Sequence, residues 1–166
     1  MSVKKWILVF LAAVLGGVVL LAACNVVIDP FGVFGDHFFQ WYAYDMTQNP
    51  RVAKIAYLDQ HYESYDSYVI GSSKASSLSV DQLNGYTGDS WYNMTWYGGD
   101  LLDEAQLAAY LVENYKVENI ILTIDPECAN LYNEGSQSDL RQAMHGKVCG
   151  ENGLLFYGRY LFSNLS

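Results

Sequence analysis

Apolar and polar positions along the chain fall into one long apolar run followed by short, alternating helix-like and strand-like segments. From Trp6 to Ala23 there is no charged residue, and Lys4 and Lys5 stand just before it. A helix needs about 17–25 apolar residues to cross a bilayer core, so this run is long enough to span. Its lysines predict an amino end kept in the cytoplasm and everything after Asn25 outside. Further on, Val52, Ile55, Ala56, Leu58 and Tyr62 recur at three-to-four spacing, which predicts an amphipathic helix over 51–63 started by Asn49-Pro50. Tyr65 to Ile70 reads as a short buried strand ending at Gly71. A helix is expected over 76–83, a turn over 85–88 and a second strand over 90–95, stopped by Gly98-Gly99. Leu101, Leu102, Ala105, Leu107, Ala108, Leu111 and Val112 give a helix over 100–115, with Asp100 as its cap. Ile-Ile-Leu-Thr-Ile, ending Asn119–Ile124, reads as a strand covered on both faces, broken by Asp125-Pro126.

Helix and strand alternate three times, which predicts an α/β fold: a parallel sheet flanked by helices, three layers deep. The expected organisation is a membrane anchor or lipoprotein-type signal over 1–24, an extracytoplasmic neck over 25–50 and an α/β domain over 51–166. Asp29-Pro30-Phe31-Gly32 and Gly35 argue against regular helix at the start of the neck. Leu21-Ala22-Ala23-Cys24 has the form of a lipobox, so an uncleaved anchor and a lipid-anchored Cys24 both stand as outcomes. Either way the expected place is the cell membrane, with residues 6–23 as the membrane contact. Leu154 to Phe162 is rich in apolar and aromatic residues with no further element after it to pack on. Three strands would also leave an open sheet edge, so the domain reads as the amino-terminal part of a longer one.

Charge changes the list of partners. All 18 acidic residues follow Cys24, against seven of the nine basic ones, a net of −11 outside the membrane. Such a surface repels nucleic acid and anionic headgroups, so nucleic-acid binding is discarded. Fourteen tyrosines and four tryptophans suit either a carbohydrate-facing cleft or an ordinary core with a wet rim, the core being the weightier reading. Cys128 and Cys149 are candidates for a disulfide in an oxidising compartment. No His/Asp/Glu cluster has metal-ligand spacing, and no cofactor is expected. The sequons at Asn93 and Asn164 are taken as chance.

In a parallel sheet, ligands bind beyond the carboxyl ends of the strands. Those ends carry Gly71-Ser72-Ser73, Asn93 to Gly99, and Asp125 to Asn130. A serine in a tight strand-to-helix turn is well placed as a nucleophile, and Ser73 is the candidate, with Ser72 beside it. A plain turn would favour the same residues. Asn93 could donate its amide to a substrate oxygen, and Gly98 and Gly99 allow close backbone approach; taken blandly, they cap a strand and turn the chain.

Tyr68-Val69-Ile70-Gly71-Ser72-Ser73, Tyr92-Asn93-Met94 with Gly98-Gly99, and Ile120 to Asp125 together resemble the SGNH/GDSL hydrolase superfamily. The likeness is to its membrane-anchored branches, such as the D-alanyl transfer proteins of teichoic acid synthesis and the alginate acetyltransferases. The resemblance covers residues 26–130. It implies a flavodoxin-like SGNH sheet and an esterase or acyltransferase acting on a cell-envelope glycan or polymer. Ser73 would be its nucleophile, Ser73's amide one oxyanion donor and Gly98 or Gly99 another. The family's Gly-x-Asn-Asp block is replaced by Ile124-Asp125-Pro126-Glu127, leaving Asn130 as the nearest substitute. The Asp-x-x-His that supplies the family's base does not occur, and His37, His61 and His145 lack its spacing. A non-catalytic envelope protein that keeps the fold is the alternative.

Overall fold

The structure is a computed structural model that describes residues 2–43, 45–126 and 139–163. Helix α1 (Val3–Ile28) is one uninterrupted rod, capped by Ser2 and ended by Asp29 in a left-handed conformation. It is long and apolar enough to cross a membrane, and its apolar window packs against nothing in the protein. Cys24 is exposed on it, one turn before its end.

Helix α2 (Pro50–His61) starts as its sequence dictates: the Asn49 side chain accepts from the amides of Arg51 and Val52, and Pro50 occupies a position that needs no amide. Strands β1 (Ser67–Ile70), β2 (Trp91–Asn93) and β3 (Asn119–Leu122) form a parallel sheet in the order β2-β1-β3. Helix α3 (Val80–Thr87) links β1 to β2, and α4 (Leu101–Asn114) links β2 to β3.

Alternation along β1 divides the sheet into two faces. Tyr68 and Ile70 pack with Ile55 and Leu58 of α2, Leu107 and Leu111 of α4, and Tyr92 and Met94. The opposite face carries Trp91, whose indole N–H donates to Thr87 and whose amide donates to Asn84, both on α3. Helices thus cover both faces, as the alternation predicts. Tyr42, Tyr57, Tyr65, Tyr110 and Tyr115 pack partly buried round this cluster, while Tyr62, Tyr86 and Tyr97 are exposed.

Three expectations change. β3 is not covered on both faces: β1 takes the centre, buried at every residue, while β3 lies at the edge with Leu122 and the following Ile124 exposed. The expected helix over 76–83 is a 3-10 turn, Ser73–Ser77, followed by α3, which runs through Gly85 to end at Gly88. Serine is the cause: Ser76 and Ser77 donate to the carbonyls of Ser73 and Lys74 and compete with regular helix. The apolar tail does find a partner. Helix α6 (Gly153–Leu161) lays Phe156 and Tyr160 against Phe31 and Val33 of the neck and Val52 of α2.

The neck is irregular but ordered. Asp29 is buried, and its carboxylate accepts from the amides of Val33, Phe34 and Asp36. Burial raises its pKa against the opposing pull of those three bonds. The Asn25 amide donates to the Leu161 carbonyl at 2.6 Å, so α6 also grips the end of α1.

A short helix, α5 (Gly146–Cys149), precedes α6 and is capped by His145, whose Nδ1 accepts from the Lys147 amide. His145 is 1% exposed and packs on Phe156. Burial pushes its pKa down from 6.5 to about 4. Between those values the unfolded chain binds a proton that the folded chain refuses, so stability is full above pH 6.5 and falls as pH drops toward 4. The expected loss from this one residue is roughly 2–3 kcal/mol by about pH 4.5. Denaturant unfolding in detergent at neutral and acid pH should show a shallower loss for His145→Gln than for the wild type.

Candidate functional site

The carboxyl ends of all three strands meet at one end of the sheet, and the turn after β1 is the most constrained of them. A Cβ at Gly71 would stand 1.9 Å from the Thr123 hydroxyl and 3.0 Å from the Ala75 Cβ. Only glycine lets the end of β1 lie that close to the end of β3. The backbone is also pinned on both sides, by Thr123 N donating to Ile70 O at 3.0 Å and Trp96 N donating to Gly71 O at 3.3 Å.

The two serines then part in role. Ser72 is buried; its hydroxyl donates to Asp125 Oδ2 at 2.5 Å and accepts from the Lys74 amide at 3.3 Å. It is the cap of the 3-10 turn and the bridge from β1 to the segment after β3. Lys74 adds an ammonium 3.6 Å from Asp125 Oδ1, on a half-exposed side chain. Ser73 is half-buried at the start of the turn. Its carbonyl accepts from Ser76, and its hydroxyl makes no hydrogen bond among the described residues. Asp125 and Lys74 are the members of this cluster that sequence reasoning passed over. A signal existed for Asp125, an acid directly after a strand at the ligand-binding end, but its partner lies 53 residues away.

Asn93 closes β2, in register with Val69. Its side-chain oxygen accepts from the amide and hydroxyl of Thr95, at 3.0 and 2.6 Å. The strand-end capping role is therefore real, while its NH2 group stays unengaged among the described residues. The loop beyond is braced from α2. Arg51, buried, pairs with Asp103 at 2.5 Å, donates to the Gly98 carbonyl at 2.7 Å and lies over the Trp96 ring. Burial raises the Asp103 pKa, and the Arg51 guanidinium opposes that rise. Lys54 donates to the Thr95 carbonyl at 2.5 Å, and burial brings its pKa down to about 8.

Gly98 and Gly99 serve this loop differently. Gly98 is exposed, at φ 62°, a conformation that favours glycine. Gly99 is buried, and a Cβ there would stand 2.7 Å from the Trp96 indole nitrogen. Asn130 lies outside the described residues, as does Cys128 and with it any pairing to Cys149.

The histidines belong elsewhere. His61 ends α2, next to the start of β1, stacked on Tyr57; a Cβ at Gly35 would meet the His37 ring beside Gln60 of α2; His145 caps α5. None is placed at the carboxyl ends of the strands. Among the described residues, no group of three or more His, Cys, Asp or Glu side chains is arranged to hold a metal. Comparison with protein families, with curated proteins and with solved structures finds no match to this chain.

The close approach at Gly71 has a measurable cost when altered. Gly71→Ala should destabilise the protein by about 1–3 kcal/mol through overpacking. Adding Thr123→Ala removes the nearest clashing atom and should recover part of that loss. Denaturant unfolding of the two single variants and the double variant checks the non-additivity.

Proposed function

We propose that the protein is a membrane-tethered, extracytoplasmic esterase or acyltransferase of SGNH type acting on cell-envelope polymers, with Ser73 as its nucleophile. The observation that supports this reading is the division of labour between the two serines. Ser72 has both its hydrogen and a lone pair engaged, by Asp125 and by the Lys74 amide. Ser73, next in the chain, keeps its hydroxyl unengaged among the described residues, at the mouth of a turn that only Gly71 permits. A nucleophile needs that freedom, and its neighbour's bonds hold the turn that presents it.

In this reading the Ser73 oxygen attacks an acyl carbonyl, and the hydroxyl proton passes to a base as the C–O bond forms. The tetrahedral oxyanion is met by the Ser73 amide and by the Gly98 or Gly99 amide, with the Asn93 NH2 as a further donor. Collapse expels the alcohol and leaves an acyl-serine, which a polymer hydroxyl or water then takes up. Tethering through α1 would keep the site at the envelope, with either an uncleaved helix or a lipid on Cys24 as the link.

The base is where a second reading gains support. No Asp-x-x-His occurs in the 166 residues, and the described histidines sit away from Ser73. A protein that keeps the fold and binds an envelope glycan or partner without turnover is the competing account.

A fluorophosphonate probe separates the two. On the enzyme reading it labels the full chain at Ser73, Ser73→Ala abolishes labelling, and Ser72→Ala retains some because the nucleophile is intact. A folded wild-type chain that takes no label at Ser73 leaves the binding reading in its place.

A further inference from the structure

We propose that the aromatic patch of the neck, Phe38, Phe39 and Trp41, is seated in the outer headgroup layer of the membrane, so that the domain stands directly on a lipid surface. This rests on the tether reading of α1 and adds to it the face of the domain that meets lipid.

Helix length sets the height. Twenty-six residues rise about 39 Å, more than the ~30 Å hydrocarbon core but within the 40–45 Å that includes the headgroups. With Lys4 and Lys5 at the inner surface, Ile28 stands at the outer headgroup level. Apolar surface continues to that point, with Val26, Val27 and Ile28 all exposed. Trp41 is tied to the same level: its indole N–H donates to the Ile28 carbonyl at 2.5 Å, one of the carbonyls that a helix end leaves without an internal partner.

The patch is apolar where the rest of the domain is acidic. Phe38 is 69% exposed and Phe39 48%, and Phe39 stacks on Trp41 with ring centroids 5.2 Å apart. Residues 38–43, Phe-Phe-Gln-Trp-Tyr-Ala, carry no charge. Tryptophan at a membrane interface places its ring among acyl chains and its N–H toward polar groups, and the Trp41 N–H is already turned to a helix-end carbonyl. The patch cannot swing away freely. The Asp29 carboxylate fixes residues 33–36, and Asp36 Oδ2 accepts from the Tyr42 amide at 2.8 Å. A net negative domain gains nothing electrostatically from anionic lipid, so the seating is by apolar contact.

The test is tryptophan quenching by brominated lipid in phosphatidylcholine vesicles containing the full chain. Trp6 lies in α1 and is replaced by Phe; Trp91 and Trp96 are buried in the domain, at 4% and 2% exposure. The difference in emission between Trp6→Phe and Trp6→Phe/Trp41→Phe then reports Trp41. Seating predicts that this component loses most of its intensity in brominated vesicles, more with bromine near the headgroup end of the acyl chain than near its methyl end. In the Trp6→Phe background, Phe38→Ser/Phe39→Ser keeps the Trp41–Ile28 bond and should shift Trp41 from quenching by lipid toward quenching by aqueous iodide. A chain that floats with the vesicles while Trp41 answers only to iodide overturns the seating and leaves the tether intact. A chain that does not float with the vesicles overturns both.

Discussion

The contact between Gly71 and Thr123 is the constraint from which the site end of this protein follows. With no side chain at Gly71, the last carbonyl of β1 receives the Thr123 amide, and the strand ends lie close enough for Ser72 to reach Asp125. That bond makes Ser72 a structural residue, and a structural Ser72 sets Ser73 at the rim. A bulkier residue at 71 would separate the strands at the place where the chain turns toward its candidate nucleophile. The same end of the sheet is held from the other side by Arg51 and Lys54, whose long side chains reach the carbonyls of Gly98 and Thr95. Backbone that would otherwise be a mobile glycine loop is thereby fixed to α2.

A second fixed point joins the domain to α1. Asp29, Asn25 and Trp41 each use one polar group to tie neighbouring segments together, and Phe31, Val33, Phe156 and Tyr160 fill the space between neck and α6. Burying Asp29 is unfavourable for its charge, which the raised pKa records, and three amide donors are what make a carboxylate tolerable there. The result is a joint between the apolar rod and the domain held by hydrogen bonds and apolar packing, within a neck whose Pro and Gly predict only irregular backbone.

Local pattern carried most of the fold. The three-to-four spacing of Val52, Ile55 and Leu58, the cap at Asn49 and the cap at Asp100 predict α2 and α4 because each signal acts within one or two turns. β1 reads as buried for the same reason. What the sequence hides is everything set by distant partners. β3 has the apolar run of a central strand, yet the order β2-β1-β3 gives the centre to β1, and strand order is not written in any one strand's composition. Asp29 looks like a turn residue and Phe156 like part of an orphaned tail until the neck and α6 are brought together. Of the site, Ser72, Ser73, Asn93, Gly98 and Gly99 are legible as residues at strand ends; the Ser72–Asp125 bridge is not, because it spans 53 positions.

Two adjacent serines could share one task, and the geometry argues that they do not. A hydroxyl that donates to a carboxylate at 2.5 Å is more nucleophilic in principle, since the carboxylate draws its proton. Ser72, however, is buried, and its oxygen also accepts from the Lys74 amide, which caps the turn. For Ser72 to attack a substrate, the substrate would have to reach a buried oxygen that already holds the Lys74 amide, at the end of the central strand β1. As the proposed nucleophile, Ser73 would attack without breaking any bond seen among the described residues. Its deficit is the opposite one: among the described residues its hydroxyl meets no base. If Ser73 is the nucleophile, as proposed, the Gly71 turn and the Ser72 bonds hold it in place, and the transfer of its proton is the step that would need a further group.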